Sequence, residues 1–399
     1  MKNTLLCTTA LAMTGLAGAA SAAEVSAGAV NMGFSGYYTQ IIAISSVDTG
    51  STLAGADFDG LDLYTNAEIW FKPSVTLDNG IKIGVDVQLE AGSNTNSDQI
   101  DESYMTISGD FGKFIIGSEN SAGYKMTVAA PDHSMIFAHS SSLTGFVPFS
   151  SDTAGADLFR GTLGTTYIEN NRNNDAARIS YFSPRFSGLQ LGLSYARDSG
   201  QASGVVDNND TITDIVDIAA NYSGSFGGVD VDASARWGTA SGEPGDPDPE
   251  VWGAGLNLGF GGFTIGGSFA EQDGSAKRDG SSFDVGIGYA NGPMSYSLTY
   301  FEGNNTDNEG VAGIDEVTGV DLNLDLDFDD AGEQAPVTAV AGTPGATEEL
   351  KTVILAVKYA VNSNFKVGAF IAHTDFSESV GPADDVDGTV VGVSASFSF

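Results

Sequence analysis

The residues most able to do chemistry in this chain are its three histidines, one Asp-His-Ser triplet and a run of clustered carboxylates. A hydrolase needs a nucleophile, an imidazole base and a carboxylate that orients the base. Asp132, His133 and Ser134 supply all three types side by side. Adjacency along the chain does not aim three side chains at one reacting atom, so the triplet supports no catalytic assignment. His139 and His373 stand apart from it, and a neutral loop or surface role is the default for each. The chain has no Gly-x-Ser-x-Gly elbow, His-Glu-x-x-His pair, phosphate loop or Gly-x-Gly-x-x-Gly turn. These residues point away from an enzyme.

The carboxylate run is Asp321, Asp325, Asp327, Asp329 and Asp330, alternating with Leu322, Leu324, Leu326 and Phe328 inside the acidic stretch 303–349. Clustered carboxylates in a loop can hold a hard cation, so calcium on the acidic loops is the one cofactor suggested. Neither EF-hand spacing nor a glycine-rich nonapeptide repeat accompanies them, and a solvated loop containing a short hairpin is the plainer reading. The whole chain carries 52 acidic and 16 basic side chains in 399 residues, a formal charge of −36. A surface that negative repels nucleic acid. With 41% apolar and 10% aromatic residues it has ample material for burial. Its 52 glycines beside only 17% charged residues favour strands and turns over helices.

The first residues set the compartment. Met1 and Lys2 form a short positive segment, Leu5 to Ala20 is apolar or small, and Ala20-Ser21-Ala22 matches a signal-peptidase site. Residues 1–22 are predicted to be a signal peptide, cleaved after Ala22 or Ala23, leaving 23–399 as one domain. The only cysteine, Cys7, leaves with it, so the mature chain must hold together without disulfides. Beyond residue 24 no apolar run reaches the length of a membrane-spanning helix. Soluble export, surface export or a closed barrel remain.

Period two organises the rest. Ile81, Ile83, Val85, Val87 and Leu89 share one face, with Lys82, Gly84, Asp86, Gln88 and Glu90 on the other. Val229, Val231, Ala233, Ala235 and Trp237 alternate in the same way, as do Phe283, Val285, Ile287 and Tyr289. Successive strand side chains point to opposite faces, so each segment has an apolar face and a wet one. Pairs of segments are joined by short turns such as Asp78-Asn79-Gly80, Gly259-Phe260-Gly261-Gly262 and Asn362-Ser363-Asn364. Long acidic or Gly- and Asn-rich connections separate the pairs, among them 41–60, 119–176 and 303–349. A strand near 28–40, seven hairpins and a last strand near 387–399 make sixteen strands. Short turns at one end, long loops at the other and an even strand number predict an all-β, 16-stranded antiparallel transmembrane barrel. A soluble, surface-exposed acidic β-protein of adhesin or layer-forming type is the alternative. Aromatics near strand ends weigh against it, because such residues form interfacial girdles. Tyr37, Tyr64, Trp70, Tyr104, Tyr181, Trp237, Trp252, Tyr289 and Tyr300 are expected to face outward for this reason.

The segment Ala177-Arg178-Ile179-Ser180-Tyr181-Phe182-Ser183-Pro184-Arg185-Phe186-Ser187-Gly188-Leu189 resembles the Arg-x-x-Tyr-x-Ser-Pro-x-Phe-x-Gly hairpin of porins. Phe111-Gly112-Lys113-Phe114-Ile115-Ile116-Gly117 resembles the strand leading into their constriction loop. With a Lys-led leader and a terminal Phe399, the chain resembles the alphaproteobacterial general diffusion porins of Rhodobacter type. The resemblance implies a homotrimer in the outer membrane, in contact with lipid and lipopolysaccharide. It also implies a water-filled pore for ions and small hydrophilic solutes, with no cofactor and no energy coupling. Phe399 would be the C-terminal signal read by the barrel assembly machinery.

The resemblance also implies a loop folded into the lumen, and 119–176 is the long loop with substantial apolar content, including Met126, Val128, Ile136, Phe146 and Val147. Its acids Glu119, Asp132, Asp152, Asp157 and Glu169 would line a constriction. Lys72, Lys82, Arg178 and Arg236 would form the opposing basic wall. Opposed charges across a wet gap make a transverse field that sorts solutes by polarity and size. With Lys2 removed, 15 bases stand against 52 acids, a formal charge of −37, so the pore is expected to favour cations.

Overall fold

The computed structural model describes residues 29–50, 53–92, 100–136, 143, 145–149, 160–169, 174–200, 205–207, 211–242, 247–273, 279–308, 346–379 and 385–399. The predicted leader, Asp152, Asp157, His139 and the Asp321–Asp330 run lie outside those residues. Sixteen strands follow one another: β1 (Asn31–Thr49), β2 (Gly60–Thr76), β3 (Lys82–Glu90), β4 (Ile100–Gly109), β5 (Gly112–Ser118) and β6 (Ala177–Phe182). Then come β7 (Leu189–Ala196), β8 (Thr213–Phe226), β9 (Val229–Ser241), β10 (Glu250–Phe260) and β11 (Phe263–Asp273). The last are β12 (Gly280–Asn291), β13 (Met294–Asn308), β14 (Ala346–Ala360), β15 (Phe365–Glu378) and β16 (Val386–Ser398). Each pairs antiparallel with its sequence neighbours, and β1 pairs with β16 from Tyr37↔Ser398 to Thr49↔Val386, closing the barrel. Gly36 N–H donates to Phe399 O at 3.0 Å and Phe399 N–H returns to Gly36 O at 3.1 Å.

The short turns do their work locally. Gly227-Gly228 and Gly261-Gly262 take positive φ at both central positions (58° and 85°, 58° and 86°), the twist that suits a two-residue hairpin. At the other end the strands run further than the alternation predicts, β1 to Thr49, β2 from Gly60 and β13 to Asn308. On β13 both faces of the extension from Gly303 to Thr306 are small or polar, so the period-two signal fades there before the hydrogen-bond ladder does, whereas Ile42, Ile44, Leu61 and Leu63 keep an apolar outward face along the extensions of β1 and β2.

The exposure pattern is inverted relative to a protein in water. On β12 the outward Phe283, Val285 and Ile287 are 38%, 49% and 40% exposed, while inward Ser282 and Asp284 are 2% and 3% exposed. Leaving such apolar side chains in water would forfeit about 1.5–3 kcal/mol each, and here they cover the circumference. Hydrocarbon is the surrounding that resolves this, and the surface-protein alternative is not favoured. Aromatic pairs mark both edges of the apolar band. Phe263–Tyr289 (centroids 4.5 Å apart) lies toward the short turns, and Trp252–Phe269 (4.9 Å) and Phe283–Tyr300 (5.9 Å) toward the long connections.

Four aromatics face the other way from the outward placement expected. Tyr37, Tyr64, Trp70 and Tyr104 point into the lumen, three of them held by polar partners and Tyr64 by an aromatic one. Tyr37 Oη lies 2.7 Å from both Asn66 Oδ1 and Glu68 Oε1, and Trp70 Nε1 donates to Glu68 Oε2 at 2.6 Å. Tyr104 Oη accepts from Gln88 Nε2 at 3.3 Å, and the Tyr64 ring packs on Phe146.

Closure predicts a simple gel behaviour. The full chain should migrate as a compact species in SDS until boiled, and truncation before Val386 should abolish that species by leaving β1 and β15 unpaired. Phe399→Ala keeps the Gly36 backbone pair but loses ring contacts to Phe34 (5.5 Å) and Phe397 (6.0 Å). It should lower the conversion temperature by an amount matching about 1 kcal/mol.

Candidate functional site

The connection from β5 to β6 turns into the barrel and runs round its inner wall. It starts with one helical turn, α1 (Ala122–Met126), capped by Ser121, whose side chain accepts from Tyr124 N–H. Ala122 and Met126 pack on Ile115, Phe182 and Ala219 of the wall. The chain then bonds to the strands in order. Val128 N–H donates to Ser234 Oγ on β9 at 2.8 Å, and Ala129 O accepts from Asn257 Nδ2 on β10 at 2.9 Å. Ala130 N–H donates to Asp284 Oδ1 on β12 at 2.9 Å, and Pro131 O accepts from Thr299 Oγ1 on β13 at 2.7 Å. His133 N–H meets Ser297 Oγ on β13 at 2.8 Å, and its ring Nδ1 lies 3.2 Å from Lys358 Nζ on β14. Burial, and then Lys358, push the His133 pKa down, so the ring is neutral at pH 7. Ile136, Leu143, Phe146 and Val147 complete the course by packing on side chains of β1 and β14–β16.

A return leg lies along the same strands. Thr162 Oγ1 donates to Asn304 O at 2.9 Å, Thr165 O accepts from Ser282 Oγ at 2.8 Å, and Thr166 Oγ1 donates to Asp284 Oδ2 at 2.9 Å. The two legs clasp each other where Ser121 N–H donates to Glu169 Oε1 at 2.8 Å and the Arg160 guanidinium lies 3.8 Å over the Tyr124 ring. Near the end of the loop, Asp175 O accepts from Ser118 Oγ. Burial, and then Asp101, raise the Asp175 carboxyl to about 7.

The predicted charge opposition takes a different form. Glu119 is buried and pairs with Lys125, six residues on, at 2.7 Å, while Glu169 is spent on the Ser121 amide. Arg236 is buried between the loop and the wall, paired with Asp217 and donating to Ile168 O. Arg178 is also buried, donating to Ala176 O at 3.4 Å. These four sit in the seam that fixes the loop, not on two sides of a gap. Asp132 accepts from Ser134 N–H at 2.7 Å within its own turn, an arrangement that serves the loop. Lys72 pairs with Asp86 of the adjacent strand at 3.2 Å, and Lys82 is exposed at the first residue of β3, beside a short turn.

The wall opposite is where the open charge lies. On β2–β5 inward side chains bond one another, as Lys72 does Asp86 and Gln88 does Tyr104. Above them Glu68, Glu90 and Asp101, all half-buried, each bring one oxygen within 4.8 Å of the others. Oxygen donors so arranged fit a hard cation. Glu68 and Asp101 lie outside the 119–176 loop, whose acids are the ones the sequence points to. Glu90 shares the wet face of β3 with Lys82, and Glu68 that of β2 with Trp70 and Lys72, so strand parity signals both, whereas Asp101 is out of phase with Tyr104 and lies at the register shift opposite Val87–Leu89, which parity does not show.

Comparison with known proteins adds to this geometry. The family model for Gram-negative porins matches residues 7–378. No curated protein matches the chain in sequence. Among solved structures, the anion-selective porin from Comamonas acidovorans superposes with TM-score 0.58 at 15% identity, covering 93% of this chain and 100% of that one. OmpT of Vibrio cholerae in its trimer form gives 0.55 at 13% identity, with coverages of 93% and 100%. OmpF of Salmonella typhi in complex with daunomycin gives 0.54 at 13%, with coverages of 92% and 97%.

Two outcomes test the inner loop. A Cβ on Gly255 of β10 would overlap the Val128 carbonyl, whereas at Gly259 on the same strand the nearest atom is Asp230 Cβ at 3.3 Å. Gly255→Val should therefore cost about 1–3 kcal/mol and lower single-channel conductance by pushing the loop into the lumen, with Gly259→Val close to wild type. The second concerns pH. A carboxyl raised by burial favours the folded state while protonated, so its contribution is complete below roughly pH 4 and is lost as pH rises through about 7. The SDS conversion temperature should fall over that window and should fall less in Asp175→Asn.

Proposed function

The chain belongs to the Gram-negative porin family, an outer-membrane β-barrel diffusion channel, and from that premise we propose that it passes ions and small hydrophilic solutes with a preference for cations. One observation carries the preference. The wall left open by the inner loop bears Glu68, Glu90 and Asp101 with oxygens within 4.8 Å of one another. Lysine on that wall is partly neutralised, since Lys72 is bound to Asp86. A negative lumen concentrates cations and repels anions. The fold alone leaves the sign open, because the Comamonas acidovorans neighbour is described as anion-selective.

The trimer form of the Vibrio cholerae neighbour supports a homotrimeric assembly. The Ala177–Leu189 hairpin motif supports a place among the alphaproteobacterial general porins of Rhodobacter type. Export by the 1–22 leader, assembly through Phe399 and contact with lipopolysaccharide belong to the same reading. Calcium on the Asp321–Asp330 run is a separate proposal, which a chelator-induced shift in the SDS conversion temperature would support.

Planar-bilayer recording under a tenfold KCl gradient tests the function. Insertion steps that close in thirds, with a cation-directed zero-current potential, are the expected result. An anion-directed potential would retain the channel and reject the preference, and folded protein with no conductance would reject the channel.

A further inference from the structure

The charges facing the lumen are sorted along the pore axis, and strand direction shows how. Glu90 is the last residue of β3 and Asp101 the second of β4, so both stand at the long-connection end. Glu68 is level with Glu90, its direct partner across β2 and β3.

The opposite rim is different. Lys82 opens β3 and Lys113 is the second residue of β5, and both are register partners of Ser108. Lys366 is the second residue of β15, and Lys358 lies two positions before the end of β14. Arg185 is in a short turn at this end. Against these bases stand Asp230 and Asp232, near the start of β9 and both exposed, and Asp78 and Asp110 in turns. Among the described residues five basic side chains stand against four acidic ones there, which leaves the rim close to neutral.

We propose that the channel is axially polarised, with a strongly cation-concentrating extracellular half and a near-neutral periplasmic rim, so that its selectivity depends on which end meets the dilute solution. This rests on the cation-preferring reading above and adds a direction to it. Fixed charge excludes co-ions from a pore only within about a screening length, ~10 Å at 0.1 M salt and ~30 Å at 0.01 M. When dilute salt fills the acidic half, Glu68, Glu90 and Asp101 hold anions out across the lumen. When concentrated salt fills it, their reach shrinks, and dilute salt at the lysine-bearing rim meets little net charge. The same asymmetry makes current at equal and opposite voltages unequal.

The test uses the full-length channel in a planar bilayer with a 0.1 M/0.01 M KCl gradient applied in each orientation. Ser363→Cys, in the turn between β14 and β15, reports orientation when a membrane-impermeant thiol reagent in one chamber changes the current. The cation-directed potential should be larger, by up to roughly twofold, with dilute salt on the long-connection side. Glu68→Gln/Glu90→Gln/Asp101→Asn should remove most of the difference by lowering the larger value. Lys82→Glu/Lys113→Glu should remove it by raising the smaller one. Equal cation-directed potentials in both orientations would overturn axial polarity while sparing the cation preference. A larger potential with dilute salt on the turn side would also overturn it. Anion-directed potentials in both orientations would reject the preference and this inference together.

Discussion

A backbone N–H or C=O left unpaired in hydrocarbon costs several kcal/mol, and the closed ladder from β1 through β16 is what avoids that cost. Once the ladder closes, inward and outward choices follow strand parity except at register shifts such as that opposite Val87–Leu89, because a one-residue slip exchanges the two faces of a strand. Parity sends Phe283, Val285 and Ile287 to the lipid and Ser282 and Asp284 to the inside. It also leaves an interior lined largely by small and polar groups, which is too wide to close over itself and must be filled by something else.

The β5–β6 connection fills part of it, and side-chain size on the inner wall decides which part. Beneath the loop the wall is shaved back: Gly192 lies under Ala122 and Met126, Gly255 under Val128, Gly286 under Ala130 and Pro131, and Gly388 under Val147. A side chain at any of these positions would meet the loop. On β1–β4 the inward positions carry Tyr37, Trp70, Lys72, Gln88 and Tyr104, which already bond to one another or to Glu68 and Asp86. The loop follows the glycines, and the bulky polar wall is left as the lining of the water path.

That division explains what could be read in advance. Short turns and alternation are local properties, so Asp78-Asn79-Gly80 and the face shared by Phe283 and Val285 announce their roles within a few residues. The long-connection end of β13 is less legible because Gly303, Asn304, Asn305 and Thr306 make both of its faces small or polar. The inward turn of Tyr37 and Trp70 depends on Glu68, which is 31 residues from the first and reached by the second across the same strand face. Glu169 finds the Ser121 amide across 48 residues, and Arg236 finds Asp217 across a hairpin. Charge type alone could not show that these groups are consumed as anchors, since only folding brings their partners near.

The anchors alter the electrostatics of the pore. Removing a charge from water is worthwhile only where an opposite charge and well-placed hydrogen bonds receive it. Arg236 has Asp217 and the Ile168 carbonyl, and Glu119 has Lys125. Pairs of this kind act as short dipoles whose fields fall off faster than those of single charges, so the seam contributes little to an ion in the open path. Among the described residues, the acids Glu68, Glu90 and Asp101 gather on the wall of β2–β4 above the Lys72–Asp86 pair. On the proposed cation preference, selectivity would then be set by the wall that carries Glu68, Glu90 and Asp101, while the described loop residues are tied to the strands they cover.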